Sequence, residues 1–140
     1  MEIINLNNNP MDKVVHFEIP ADDMERAKHF YGSIFGWEMA DMPMPGGMKY
    51  MGITTVPMDD KHMPKEPGAI NGGMMQRSEA VRGPVFAINV SSVDDYVKKV
   101  EAAGGKVVMP KMEVGGMGYY AYVTDTESNV IGLWQDIKKA

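Results

Sequence analysis

The sequence predicts an α+β domain made of two tandem βαβββ modules that share one curved mixed sheet. Apolar residues alternate at period two, switch to a helical period and return to period two, and they do so twice along the chain. A single offset of 69 residues superimposes the two passages, taking Phe17 to Phe86, Ile19 to Ile88, Met24 to Val93, Tyr31 to Val100 and Gly36 to Gly105. At 140 residues the chain is long enough for one well-packed domain and too short for two ordinary ones. A unit of about 60 residues is marginal alone, so the two copies are expected to share a core, with their helices on one side of the sheet.

The Asn-rich opening through Pro10 carries no core-forming pattern and is expected to be part of a loose terminus over residues 1–12. The domain is expected over 13–136, with module one at 13–76 and module two at 84–136. The run VVHFEI alternates, placing Val15, Phe17 and Ile19 on one strand face and Val14, His16 and Glu18 on the other, with Pro20 as its end. Asp22 or Asp23 can cap the helix that follows, whose stripe is Met24, Ala27, Tyr31 and Ile34 and whose stop is Gly36. Strands around Trp37 to Ala40 and Lys49 to Thr55 flank MPMPGG, a turn composition, and read as a hairpin. Three prolines make Pro57 to Gly68 a surface loop. The next strand, near Ala69 to Gln76, contains Gly72 and Gly73, which need a reason such as a bulge or a close approach by another backbone or a ligand.

PVFAINV opens the second module. Ser92 with Asp95 has the capping-box pattern; Val93, Tyr96, Val100 and Ala103 form the stripe; and Gly104 with Gly105 ends the helix. Strands near Lys106 to Met109, Tyr119 to Thr124 and Val130 to Gln135 follow, with turns at Gly115 to Gly118 and Asp125 to Asn129.

Composition narrows the function classes. A net charge of -5 argues against nucleic acid or an anionic membrane surface as partner. No apolar run approaches the roughly 18 residues of a membrane span, and MEIINLNNNP lacks the basic and apolar segments of a leader, so the expected location is cytoplasmic. With no cysteine there are no disulfides, thiolate metal sites or cysteine nucleophiles. Fifteen methionines, twelve at or before Met75, supply flexible gap-filling side chains. No phosphate-loop or GxSxG pattern is present.

VVHFEIPADDMERAKHFYGSIFGW at 14–37, AINGGMM at 69–75, VEAAGGKVVMPK at 100–111 and GMGYYAYVTDTESNVIGLW at 116–134 together resemble the vicinal oxygen chelate superfamily. That superfamily includes glyoxalase I, bleomycin- and fosfomycin-resistance proteins and extradiol dioxygenases. The style is closest to the subgroup of predicted enzymes related to lactoylglutathione lyase. Thr126 and Ser128 replace the commoner Pro and Gly of its closing turn. In metal-dependent members, the first and last strands of each module supply one ligand apiece to a divalent ion at the base of a cup. By this resemblance the first histidine is His16, its counterpart falls on Val85, the final glutamate falls on Gly132, and Asn71, Gly72 and Gly73 stand where the remaining glutamate is expected. One ligand of four survives, too few for a catalytic ion, so no metal or other cofactor is expected.

His16 and Glu18 are candidate catalytic or polar contact residues because alternate strand residues share a face. Tyr120, Tyr122, Val130 and Trp134, with Val85 and Gly132, are candidate walls of a small-molecule pocket. The expected function is metal-free binding of a small apolar or aromatic molecule in the sheet cup, of the bleomycin-resistance type, by a homodimer as in many members of the family. Alternatives are a lyase or isomerase using His16 or Glu18, with or without a recruited divalent ion, and a structural module whose cup is filled by Met side chains.

Overall fold

The computed structural model describes residues 11–137; the expected loose terminus therefore lies outside the described residues apart from its last two. The first module contributes β1 (Val14–Ala21), α1 (Met24–Phe35), β2 (Glu38–Asp41), β3 (Tyr50–Thr54) and β4 (Gly72–Gln76). The second contributes β5 (Val85–Asn89), α2 (Val93–Ala102), β6 (Val107–Val114), β7 (Gly118–Thr124) and β8 (Val130–Asp136). All eight strands join one curled sheet in the order β2-β3-β4-β1-β5-β8-β7-β6. Within each module the first and last strands pair in parallel, β1 with β4 and β5 with β8, and the modules meet where β1 and β5 pair antiparallel.

Both helices cover the same sheet face, α1 over Phe17, Met51, Ile53 and Met74 and α2 over Ala121, Val123 and Leu133. Their caps follow local chemistry. The Asp23 carboxylate accepts from the Arg26 amide at 3.0 Å and the Ser92 hydroxyl from the Asp95 amide at 3.2 Å, each satisfying an amide left free in a first turn. Gly36 closes α1 at φ 74°, a conformation that Cβ disfavours.

Four expectations change. Pro20 does not end β1, which runs to Ala21: pairing with β5 stops at Glu18, so the missing Pro20 amide interrupts no bond on that side while β4 continues alongside. Ile34 is exposed rather than part of the buried stripe, because Trp37 stacks on Tyr31 with centroids 5.2 Å apart and closes that end of the contact. Ala103 lies beyond α2 and is also exposed, its place in the stripe taken by Val97. The 57–68 segment is largely exposed and holds only an isolated bridge, Met58 with Pro64; β4 starts late, at Gly72, because the Asn71 side chain accepts from the Thr55 and Val56 amides. Among the described residues no helix is long and apolar enough to cross a membrane.

Candidate functional site

Alternation along β1 sends Phe17 and Ile19 into the helix side and His16 and Glu18 to the opposite, concave face. Glu18 is 2% exposed, and a carboxylate so deep must be hydrogen-bonded. Its partners are three phenols. Tyr50 on β3 donates to Oε2 at 2.7 Å, Tyr120 on β7 donates to Oε1 at 3.1 Å, and Tyr122 donates to the same oxygen.

The proton count then fixes a direction. A carboxylate only accepts, so each phenol spends its one proton on Glu18. The Tyr50 oxygen, 2.9 Å from His16 Nε2, must therefore be an acceptor there, with an Nε2–H donating to it. His16 Nε2 is itself 3.8 Å from Glu18 Oε2, and the His16 side chain is 30% exposed, so it links the buried charge to the accessible surface. Burial pushes the Glu18 carboxyl up, but the His16 ring and the Tyr122 and Tyr50 hydroxyls outweigh it and hold the group below its ordinary value. Burial, and then the Glu18 charge, push all three phenols up, so they remain proton donors.

Two glycines make this convergence possible. Gly73 pairs with Glu18 across β1 and β4, and Gly132 pairs with Ala87 across β5 and β8; the 69-residue offset takes Glu18 to Ala87, so the glycines are equivalent positions in the two modules. Tyr50 lies diagonal to Gly73 and Tyr120 diagonal to Gly132. A Cβ on Gly73 would stand 1.8 Å from the Tyr50 hydroxyl, and one on Gly132 would stand 2.0 Å from that of Tyr120. Gly72 has its own reason: a Cβ there would lie 2.4 Å from the Phe17 carbonyl.

The residues singled out in the sequence do gather on this face. Val85, Tyr120 and Tyr122 are buried in one cluster, against which Val130 and Trp134 pack, while Gly132 lies beneath Tyr120. Tyr120 meets Tyr122 at 4.8 Å and Trp134 at 6.0 Å, the latter edge to face, and Trp134 Nε1 donates to Asp136 at 2.8 Å. Sequence reasoning missed Tyr50 and the role of Gly73; the available signal was a strand Tyr with a Gly two places from its cross-strand partner. The partly buried side chains of Met42, Met44, Met109 and Met112 pack against the cluster. His29 and His62 are exposed, far from this chemistry.

Residues 13–55 match the family model for the bleomycin resistance protein-like N-terminal region. The CFP32 protein of Mycobacterium tuberculosis, named as a glyoxylase, is 34% identical over 122 residues, which span 84% of this chain and 43% of that protein. The anthracycline biosynthesis protein DauV of a Streptomyces species is 30% identical over 133 residues, covering 85% of this chain and 45% of its own. This chain thus spans under half the length of these two relatives. A glyoxylase-like domain-containing protein of Didymella fabae is 31% identical over 117 residues, covering 80% of this chain and 84% of its own. The chain belongs to the vicinal oxygen chelate superfamily. The fold of this superfamily member agrees with that of methylmalonyl-CoA epimerase from Mycobacterium tuberculosis, with TM-score 0.61 at 16% identity over 89% of this chain and 88% of that one.

The superfamily's four-ligand arrangement is not what these residues build. Of the four positions His16 bears a metal donor, Val85 is aliphatic, the Asn71 side-chain oxygen is engaged by the Thr55 and Val56 amides, and the space beside Gly73 and Gly132 is held by the Tyr50 and Tyr120 hydroxyls. The neighbouring carboxylate, Glu18, is engaged by three phenols. These residues thus supply fewer side-chain donors than the roughly three that a catalytic divalent ion takes from a protein.

Proposed function

We propose that this chain is a metal-free binding protein of the glyoxylase and bleomycin-resistance type, taking a small aromatic molecule against the tyrosine-lined floor of its cup. The observation that supports this most is the replacement of metal ligands by aromatic side chains: Tyr50 and Tyr120 lie where ligands would project, with Tyr122 and Trp134 beside them. Ring faces with a few oriented polar atoms are the composition of a small-molecule site. The methionines over the floor have three rotatable bonds and repack around a guest at low cost. Similarity to a protein of anthracycline biosynthesis agrees with an aromatic guest.

Titration with 2-naphthylmethanol, followed by tryptophan fluorescence and thermal shift, tests the proposal. Saturable binding is expected, unchanged after treatment with a chelator, and weakened in Trp134→Leu. Absence of saturable stabilisation in the folded protein would refute it in favour of a cup filled by its own methionines. Binding lost with the chelator and restored by nickel, zinc or manganese would refute the metal-free part.

A second reading is a lyase or isomerase acting beside a carbonyl. It is favoured by the His16 orientation, since Nε2 is held by Tyr50 and through it by Glu18, so that Nδ1 is the ring atom that would exchange a proton with a substrate. Solvent deuterium exchange into a panel of 2-oxo and 3-oxo thioesters, absent in His16→Gln, would support it, and a rate equal to the uncatalysed one would exclude it for that panel.

A further inference from the structure

We infer that this chain pairs with a second copy of itself through an aromatic face on the helix side of the sheet, the side away from Glu18. The internal repeat supplies the comparison that sets this face apart. The offset of 69 takes Phe30, Ile34 and Phe35 at the end of α1 to Lys99, Ala103 and Gly104, so module two finishes its helix with a lysine and two small residues. Module one leaves three large apolar side chains more than half exposed at the same positions. The βαβββ unit does not need them in order to fold, since its twin forms the same elements without them.

The exposed side chains are joined rather than scattered. Ring contacts run from Phe30 to Phe35 at 6.5 Å, from Phe35 to Trp37 at 5.6 Å and from Trp37 to Phe17 at 5.8 Å, and Phe17 lies opposite Phe86 across β1 and β5. α1 packs on β2 and β4, and α2 on β6, β7 and β8, so Phe86 on the central β5 lies between the helices and is 48% exposed. It forms one wall of an open cavity of about 550 Å³ shared with Arg82, Pro84 and Asn129. The face is thus a ridge, the end of α1, beside a trough at Phe86. A twofold axis lays the ridge of each copy into the trough of the other, and such an isologous contact closes after two copies. With about 200 Å² for a whole phenylalanine, the half-exposed Phe30, Phe35 and Phe86 offer about 300 Å² per copy, and Ile34 adds about 100 Å². Two such faces bring together about 800 Å² of apolar surface, and the partly exposed Tyr31 and Trp37 with the polar rim supply the rest of the roughly 1,200 Å² that a specific pair buries. Exposed Glu25, Arg26, Lys28 and His29 mix both signs along α1, so two copies meet without a like-charge front, while the net charge of -5 disfavours an anionic membrane as the occupant.

Analytical ultracentrifugation of the full chain between about 1 and about 100 µM tests this, and a dimer is expected in the upper part of that range. Phe30→Lys, which installs the residue that module two carries, is expected to weaken dimerisation at least about tenfold with an unchanged circular dichroism spectrum, and Ile34→Glu to do the same. Met63→Lys, a similarly exposed change in the 57–68 segment, is the control and should leave the dimer intact. Ile34→Glu decides the matter if Phe30→Lys fails to fold. A wild-type monomer at about 100 µM overturns the inference, and one that floats with neutral phosphatidylcholine vesicles does so in favour of a lipid surface. A dimer unaffected by the folded α1 variants, or one lost equally in Met63→Lys, also overturns it.

Discussion

Adding one methyl group at Gly132 should test the central arrangement of this protein. A Cβ there stands 2.0 Å from the Tyr120 hydroxyl oxygen, 2.6 Å from Cζ and 2.8 Å from Cε1. Ordinary contact begins about 1.5 Å farther out, so the ring must withdraw. Tyr120 is 7% exposed and packed against Tyr122 and Trp134, so withdrawal means overpacking a well-filled cluster, at about 1–3 kcal/mol. It also breaks the 3.1 Å bond to the Glu18 carboxylate, a charge-assisted contact of about 1.5–3 kcal/mol. Gly132→Ala is therefore expected to cost about 3 kcal/mol in urea unfolding followed by circular dichroism. In a Tyr120→Phe background the same substitution should cost about 1–2 kcal/mol less, because the bond is already gone. Gly83→Ala, where a Cβ meets nothing within 4 Å, is the control and should stay within about 0.5 kcal/mol. A cost at Gly132 below about 0.5 kcal/mol, or strict additivity with Tyr120→Phe, would refute the tyrosine-over-glycine account.

Because the Glu18 carboxyl is lowered in the folded state, its stabilisation is fully present above the unfolded value near about pH 4.3 and is lost as pH falls through the folded one; urea midpoints between about pH 5 and pH 3 should drop less steeply in Glu18→Gln. The raised phenols act in the opposite direction, contributing stability below about pH 10 that is lost at higher pH, so of the six tyrosines Tyr50, Tyr120 and Tyr122 should show no tyrosinate absorbance until the protein unfolds. Ser128 holds φ 67° in the turn before β8, and Ser128→Gly should raise stability by about 0.5 kcal/mol in chemical denaturation. Asp23→Ala removes the α1 cap and should lower stability by about 1 kcal/mol in the same assay.

The fold was legible in the sequence wherever periodicity and capping agreed. The offset of 69 located β1 with β5 and α1 with α2, and the cap residues Asp23, Gly36 and Ser92 stand where the pattern placed them. Boundaries set by single residues were less secure: Pro20 breaks a strand only where its amide is needed, and Ile34 drops out of the stripe because Trp37, from outside the helix, packs on Tyr31. The wall residues of the site were legible through alternation, since Tyr120, Tyr122, Val130 and Trp134 sit on long strands of fixed face. Tyr50 was not, because β3 is five residues long and Gly73, diagonal to it, lies beyond a loop of unequal length in the two modules. Nothing in one strand's pattern shows that a tyrosine elsewhere will occupy the space of a missing side chain.

Glu18 is 32 residues from Tyr50 but 102 from Tyr120 and 104 from Tyr122. While the chain is being made, this carboxylate emerges early and waits for nearly the whole length before its last partners exist. Closing such loops is slow and comes late in folding. A fragment ending before β7 would bury β1 only by stranding a half-paired charge, at a cost no single module can meet. The repeat that makes the two halves look interchangeable is thus locked by one anion into a molecule that folds entire or not at all.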